Sequence, residues 1–205
     1  RGLGDVYKRQ IIVSSTGSAP LLPPIAGLKD RIDNENHNIY SILGMISHIN
    51  DFPKDLEGKK VVVVGGGAVG LDVVEFFADR NADISIVEMM DQIGRDLDPV
   101  SKNDTKTMMK KHNVHQLTKT ALLEVKDSSF LVRGDGEPYE LPFEYGFVCL
   151  GMRAQGQLYQ NLTEEFSSED VEIMNIGDSQ RARRIIDGTQ EGRNILTVLE
   201  QKGYL

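Results

Sequence analysis

The sequence predicts an α/β fold organised round a buried parallel sheet, and three observations carry that expectation. Val61-Val62-Val63-Val64 is a β-branched run too apolar for a half-exposed strand, so it reads as a central strand covered on both faces. It runs directly into Gly65-Gly66-Gly67-Ala68-Val69-Gly70, after which Leu71, Val74, Phe77 and Ala78 recur at spacings of three and four, as on the buried face of a helix. Ile84-Ser85-Ile86-Val87-Glu88 then supplies a second strand that ends on an acid. Strand, glycine turn, helix and strand in that order make a βαβ unit.

The remaining segments are read in chain order. Residues 1–10 are polar, lack periodicity and do not begin with methionine. Their string resembles translated adapter DNA at the broken ends of assembled sequences. They read as a non-native leader on an N-terminally truncated chain and are left out of the fold reasoning. Ile11-Ile12-Val13-Ser14-Ser15 is a short β-type run that stops at Thr16-Gly17-Ser18-Ala19-Pro20, and Pro20, Pro23 and Pro24 then hold the backbone extended. Residues 25–56 are mixed, with a short helix expected near 42–49. Beyond Glu88 a second helix is expected over 101–113, with Pro99 and Ser101 as start signals. Residues 121–125, 130–133 and 139–141 read as short antiparallel strands, with Gly134-Asp135-Gly136 as a turn. A buried strand over 144–150 ends at Gly151, a last strand over 171–176 meets a Gly177-Asp178 corner, and a helix covers 184–202.

Composition bounds the chemistry. With 40% apolar and 26% charged residues in 205, the chain has the make-up of a soluble globular protein with room for one or two cores. The 23 basic and 31 acidic residues give a net charge of −8 and a pI near 5.0, which argues against nucleic acid and against an anionic membrane surface as partners. Cys149 is the single cysteine, so neither an intrachain disulfide nor a cysteine metal cluster can form. It lies in the apolar run Phe147-Val148-Cys149-Leu150 and is expected to be a buried structural thiol in a reducing compartment. No apolar run approaches the ~18 residues that cross a bilayer, and no secretory pattern is present, so a cytoplasmic location is expected.

The glycine turn carries the chemical argument. A G-x-G-x-x-G pattern between a buried strand and an amphipathic helix is the dinucleotide-binding arrangement. Gly65 permits the tight turn, Gly67 leaves room for a pyrophosphate, and Gly70 lets the helix pack closely on the strand. With Gly66, Ala68 and Val69 they present backbone N–H groups at a helix N-terminus, which suits a pyrophosphate without any lysine. Glu88 lies 18 residues beyond Gly70, where its carboxylate can accept from both hydroxyls of an adenine ribose and repel a 2′-phosphate. NAD(H) is therefore favoured over NADP(H), although Arg95, seven residues on, is a cation able to reach a phosphate. The plainer alternative is a structural glycine turn beside a solvated glutamate. His37, His48, His112 and His115 are scattered in polar surroundings and read as surface or structural residues, and no catalytic residue or metal ligand is assigned.

Taken together, these pieces resemble the C-terminal part of the NADH:flavin oxidoreductases that include 2,4-dienoyl-CoA reductase and 2-enoate reductase. Ser15-Thr16-Gly17-Ser18-Ala19-Pro20 is similar to the "ATG" segment at the edge of that family's FAD-binding domain. Residues 61–70 and 84–88 resemble its inserted NAD(P) fold, and Val87 to Leu97, with Ile93-Gly94-Arg95-Asp96, resembles a stretch typical of it. Val148-Cys149-Leu150-Gly151 is similar to the exit from the NAD domain, and Ile176-Gly177-Asp178 with Arg183-Arg184-Ile185-Ile186-Asp187 to the closing FAD motif.

The resemblance implies a Rossmann-like fold binding two dinucleotides, with a partial FAD domain and linker at 11–56, an NAD(H) domain at 57–152 and a C-terminal FAD segment at 153–205. It also implies that Thr16, Gly17, Gly151, Gly177 and Asp178 face the dinucleotides, Asp178 toward the FAD ribityl chain. Arg183 and Ile185 would stand at the following helix N-terminus. Departures are Met152-Arg153-Ala154 where proline is usual, Ala182 for proline, Gly188 for alanine and Ser15 for alanine. The family's first FAD glycine motif is absent, as are its flavin barrel, with FMN, and the cysteines of its 4Fe-4S cluster, so these are expected only in a missing N-terminal part. That part would also hold the small-molecule substrate. The implied activity is hydride passage from NADH to FAD in an enzyme reducing an activated C=C bond. A pyridine nucleotide-disulfide-type reductase or NADH oxidase, and a non-catalytic NAD-binding module, stand as alternatives.

Overall fold

A computed structural model describes residues 11–168, 171–201 and 203, so the leader expected at 1–10 lies outside the described residues. The chain opens with β1 (Ile11–Ser14), β2 (Ser18–Pro20), α1 (Leu28–Arg31), β3 (Ile39–Tyr40) and α2 (Ile42–Ser47). Next come β4 (Lys60–Val64), α3 (Ala68–Ala78), β5 (Asp83–Val87), α4 (Pro99–Lys111) and β6 (His115–Leu117). Then follow β7 (Ala121–Val125), β8 (Ser129–Arg133), β9 (Tyr139–Pro142) and β10 (Tyr145–Val148). The chain closes with β11 (Met152–Ala154), α5 (Gln157–Glu165), β12 (Glu172–Asn175) and α6 (Ile185–Gln201). They divide into two compact units, one of residues 20–151 and one of 1–19 with 152–205.

The first unit is built on a parallel sheet in the order β3-β10-β4-β5-β6. Its central strand explains the apolar run that predicted it. Side chains alternate along a strand, so Val61 and Val63 enter one core while Val62 and Val64 enter another. The first core is closed by α3 through Leu71, Val74 and Phe77. The second is closed by a β7-β8-β9 antiparallel sheet through Val125, Phe130 and Val132. Contact between that sheet and the parallel one is close at Gly146 in β10. A β-carbon there would stand 2.7 Å from Phe130 and 2.8 Å from Phe143, whose rings pack 4.5 Å apart.

Residues 20–56, grouped on sequence grounds with the partial FAD domain, pack in this unit. β3 lies on the sheet edge beside β10, and Leu28, Ile39, Met45, Phe52 and Leu56 are all buried in its cores. Helix α4 begins two residues before the expected start because Asp98 is its N-cap. The Asp98 carboxylate accepts from the N–H groups of Val100 and Ser101 and from the Ser101 hydroxyl, and Pro99 takes the first helical position.

In the second unit β1 and β12 pair in parallel, from Ile11 opposite Glu172 to Ser14 opposite Asn175, and β2 pairs with β11. Among its described residues Leu199 is the buried apolar side chain, and α6 leaves Ile185, Ile186 and Leu196 largely exposed.

Candidate functional site

The glycine turn leaves β4 at Gly65, whose φ of +110° is open to glycine and rarely to other residues. A β-carbon there would stand 2.1 Å from the Cys149 carbonyl oxygen at the end of the neighbouring strand. One at Gly70 would stand 1.9 Å from the Gly65 carbonyl oxygen, so α3 reaches its strand only because position 70 has no side chain. Gly67 differs from both. It has an ordinary φ of −78°, and nothing lies within 4 Å of its missing β-carbon. Gly67 is also the N-cap of α3, and no side chain caps that helix. The first turn of α3 therefore offers backbone donors to an anion, with open space before them.

Glu88 follows β5 directly and turns back over this turn. One carboxylate oxygen accepts from the Gly66 N–H at 2.6 Å and the other from the Met90 N–H at 2.7 Å. Each oxygen keeps a lone pair for an outside donor. The backbone around it is tied down as well, since the Glu88 N–H donates to the Leu117 carbonyl and the Thr120 N–H to the Glu88 carbonyl. Gly65 to Val69, Glu88, Arg95 and Gly151 all line one cavity of about 650 Å³, the volume of a small-molecule site. Cys149 forms part of its floor, and burial, followed by the charge of Asp72, pushes the thiol up to about 12. It is a buried free thiol, as its apolar run implied. Gly151 has φ +105°, with open space at its missing β-carbon, and its carbonyl accepts from the Leu21 N–H.

The second unit gathers the residues assigned to a flavin nucleotide. Gly17 and Gly177 have φ of +75° and +67°, each with open space where a β-carbon would be. The Asp178 carboxylate accepts from the Ser18 hydroxyl and from the Arg183 N–H, which joins the "ATG"-like segment to the closing corner. The Thr16 hydroxyl donates to the Gln155 carbonyl, and Ile185 is the first residue of α6. These glycines and the surrounding polar groups fit a nucleotide that approaches the backbone closely.

One residue of this cluster was not singled out from the sequence. Glu191, on α6, accepts from the Gly177 N–H at 2.6 Å and from the Arg183 guanidinium at 2.5 Å. These two donors hold its carboxyl below the usual glutamate range. Its partners lie 14 and 8 residues away, so no local pattern exposes it.

The histidines lie elsewhere. His48 sets its ring against the Gly44 carbonyl and Tyr40, His37 stands 3.8 Å from Asp127, and His115 stands 3.4 Å from Asp83. Among the described residues no cluster of three or more His, Cys, Asp or Glu is placed to hold a metal, and no helix is long and apolar enough to cross a membrane.

Residues 3–175 match the family model described as pyridine nucleotide-disulphide oxidoreductase. An NADH oxidase of Thermoanaerobacter brockii is 26% identical over 88% of this chain and 26% of its own length. A metal reductase of Desulforamulus reducens is 24% identical over 89% of this chain and 30% of its own. The chain thus spans about a quarter to a third of these relatives. Among solved structures, a 2-naphthoyl-CoA reductase complex superposes with a TM-score of 0.72 at 20% identity, over 89% of this chain and 26% of that one. That likeness is one of fold.

Proposed function

This chain belongs to the pyridine nucleotide-disulphide oxidoreductase family, and we propose that it is the nucleotide-binding portion of a flavin-dependent oxidoreductase that takes hydride from NADH. The observation that carries the reading is the cavity shared by the open Gly67 turn, the uncapped N-terminus of α3 and the anchored Glu88. In this reading NAD(H) binds the unit of residues 20–151. Gly65, Gly66, Gly67, Ala68, Val69 and Gly70 present N–H groups and close approach to its pyrophosphate, and Glu88 accepts from its ribose diol. Residues 11–19 and 153–203 belong to the FAD-binding part, with Thr16, Gly17, Gly177, Asp178, Arg183 and Ile185 beside that cofactor and Gly151 marking the exit from the NAD(H) part.

The two nucleotides, when bound, supply a hydride donor and a hydride acceptor. This chain's residues hold and orient them, and no side chain here need move a proton. Glu88 arrives prepositioned, because two backbone N–H groups fix its carboxylate before any ligand is present. The same charge repels a 2′-phosphate.

For the whole protein we favour reduction of an activated carbon–carbon double bond, as in enoate and dienoyl-CoA reductases, with FMN and a 4Fe-4S cluster in its remaining part. The support is the Ile93-Gly94-Arg95-Asp96-Leu97 stretch and the fold shared with 2-naphthoyl-CoA reductase. An NADH oxidase is the second reading, favoured by the relative that bears that name. Calorimetric titration of the chain with NADH and NADPH tests the nucleotide assignment. Tighter NADH binding is expected, and absent binding or tighter NADPH binding would overturn it. The gene's upstream sequence separates the two readings of the whole protein. A flavin barrel with clustered cysteines supports the first, a Cys-x₄-Cys pair after a first glycine motif supports a disulphide-type enzyme such as an NADH oxidase, and neither supports a non-catalytic NAD-binding module.

A further inference from the structure

Seven methionines are spread along the chain, and burial separates them. Met45 and Met109 lie in the apolar core, at 4% and 5% exposure, and Met108, Met152 and Met174 are half-buried. Met89 and Met90 are the exposed pair, at 67% and 40%. They follow Glu88 directly, and both line the cavity that the glycine turn and Glu88 share. Two neighbouring thioethers thus stand open to solvent on the wall of the proposed nucleotide site.

The backbone beneath them is fixed. The Met90 N–H donates to the Glu88 carboxylate at 2.7 Å, and the Met90 carbonyl accepts from the Lys119 N–H at 2.9 Å. The Glu88 N–H and carbonyl are engaged by Leu117 and Thr120. A chemical change in either side chain is therefore not absorbed by a shift of the chain and is felt in the cavity. A thioether is a soft apolar group, whereas its sulfoxide carries a polar oxygen that accepts hydrogen bonds. Such an oxygen sets a second acceptor beside the Glu88 carboxylate. It also takes apolar contact from a wall that Ile25, Leu122 and Leu150 share. The other sulfur on the cavity is Cys149, whose thiol burial pushes up to about 12, so it stays protonated and unreactive at neutral pH.

We propose that Met89 and Met90 form a redox-sensitive modification site, at which oxidation by hydrogen peroxide weakens nucleotide binding. The inference rests on the reading of the cavity as a dinucleotide site. In the step, a sulfur lone pair attacks one peroxide oxygen, an S–O bond forms and the O–O bond breaks. The departing hydroxide takes the proton from the oxygen left on sulfur and leaves as water. The sulfur is oxidised by two electrons, and the peroxide is reduced by the same two. A sulfoxide reductase reverses the change, the oxygen leaving as water with two electrons from thiols.

The test treats the full chain, Met89→Leu, Met90→Leu and the double variant with hydrogen peroxide, removes the peroxide, and titrates each with NADH by calorimetry. Leucine keeps the size and apolar character of methionine without its sulfur. Peptide mass spectrometry locates the added oxygen, and thermal melts check the fold. Oxygen should enter at Met89 and Met90 ahead of Met45 and Met109. The parent's NADH affinity should then fall by roughly fivefold or more, the scale of lost apolar contact, with an unchanged melt. Peroxide should leave the double variant within twofold of its own untreated affinity, with each single variant between the two. Oxidation of Met45 or Met109 as fast as Met89 overturns the proposal. An oxidised parent that binds NADH within twofold of the untreated chain overturns it too, as does a double variant that loses as much affinity as the parent. Each of these leaves the dinucleotide reading intact. Untreated chain that binds neither NADH nor NADPH overturns that reading, and this inference with it.

Discussion

Gly67 and Gly70 are three residues apart, yet the structure gives them opposite burdens. Position 70 faces the Gly65 carbonyl oxygen at 1.9 Å from an added carbon, a backbone atom that cannot swing away. Gly70→Ala should therefore lower stability by about 1–3 kcal/mol or more in urea melts. Position 67 has free space and an ordinary φ, so Gly67→Ala should melt like the parent chain. The added methyl would instead stand where the ligand approaches, and NADH titration should show the binding lost. A Gly67→Ala protein that binds NADH normally would refute the placement of the pyrophosphate. Cys149 makes a second residue-scale test. Its thiol is held at about 12 against an ordinary 9.0, so the folded state keeps a proton that the unfolded chain gives up. Its contribution is whole below pH 9 and falls as pH rises from 9 toward 12. Cys149→Ala should show a shallower alkaline loss of stability by denaturant titration. The glycines and the acid were legible in the sequence because their spacing is local. The anchoring of Glu88 by Gly66 was not, because its partner lies 22 residues away.

At the scale of elements, β4 and α3 were readable because each declares its buried face through a regular period. The sheet that covers the second face was readable as three short strands, and β7 occupies the expected residues 121–125. Its contact with the parallel sheet was hidden in one glycine. Gly146→Val should strain the Phe130–Phe143 contact and cost about 1–3 kcal/mol in urea melts. The elements β3, β6 and β11 carried no pattern strong enough to announce them, and α5 was not anticipated although Leu158 and Leu162 stand at helical spacing. Two or three residues on a sheet edge have too few side chains for a period, and α5 buries none of its own. The cap of α4 has a pH signature. Bonds from Ser101 and Val100 hold the Asp98 carboxyl below the usual aspartate range. The cap therefore stabilises the helix above that range and is lost as pH falls through the lowered folded value. Asp98→Ala should lower stability at neutral pH and remove that acid dependence, read by melts at pH 7 and below.

For the whole molecule, the α/β class follows from the first strand-turn-helix, but the assignment of residues 20–56 to a unit does not. That stretch has prolines, loops and short elements, and its place is set by where Leu28, Ile39 and Phe52 are buried, which only tertiary structure reveals. The two units also differ in how much apolar surface each hides. Among the described residues Leu199 alone is a buried apolar side chain in the unit of 1–19 and 152–205. Local opening costs least where few apolar groups must be exposed. Hydrogen exchange on the full chain should show slow amides in β4, β5 and β10 and much faster exchange in β1 and β12. Equal protection in the two sets would contradict this account.

The double anchorage of Glu88 also bears on how such a site can change by mutation. A carboxylate that only read a ribose could be replaced in one step by a neutral side chain, opening the site to a phosphorylated sugar. Here the same replacement strips the Gly66 and Met90 N–H groups of their acceptor, so the turn loses a brace. On the proposed reading, a change of nucleotide therefore calls for a second substitution that gives those two N–H groups a new acceptor.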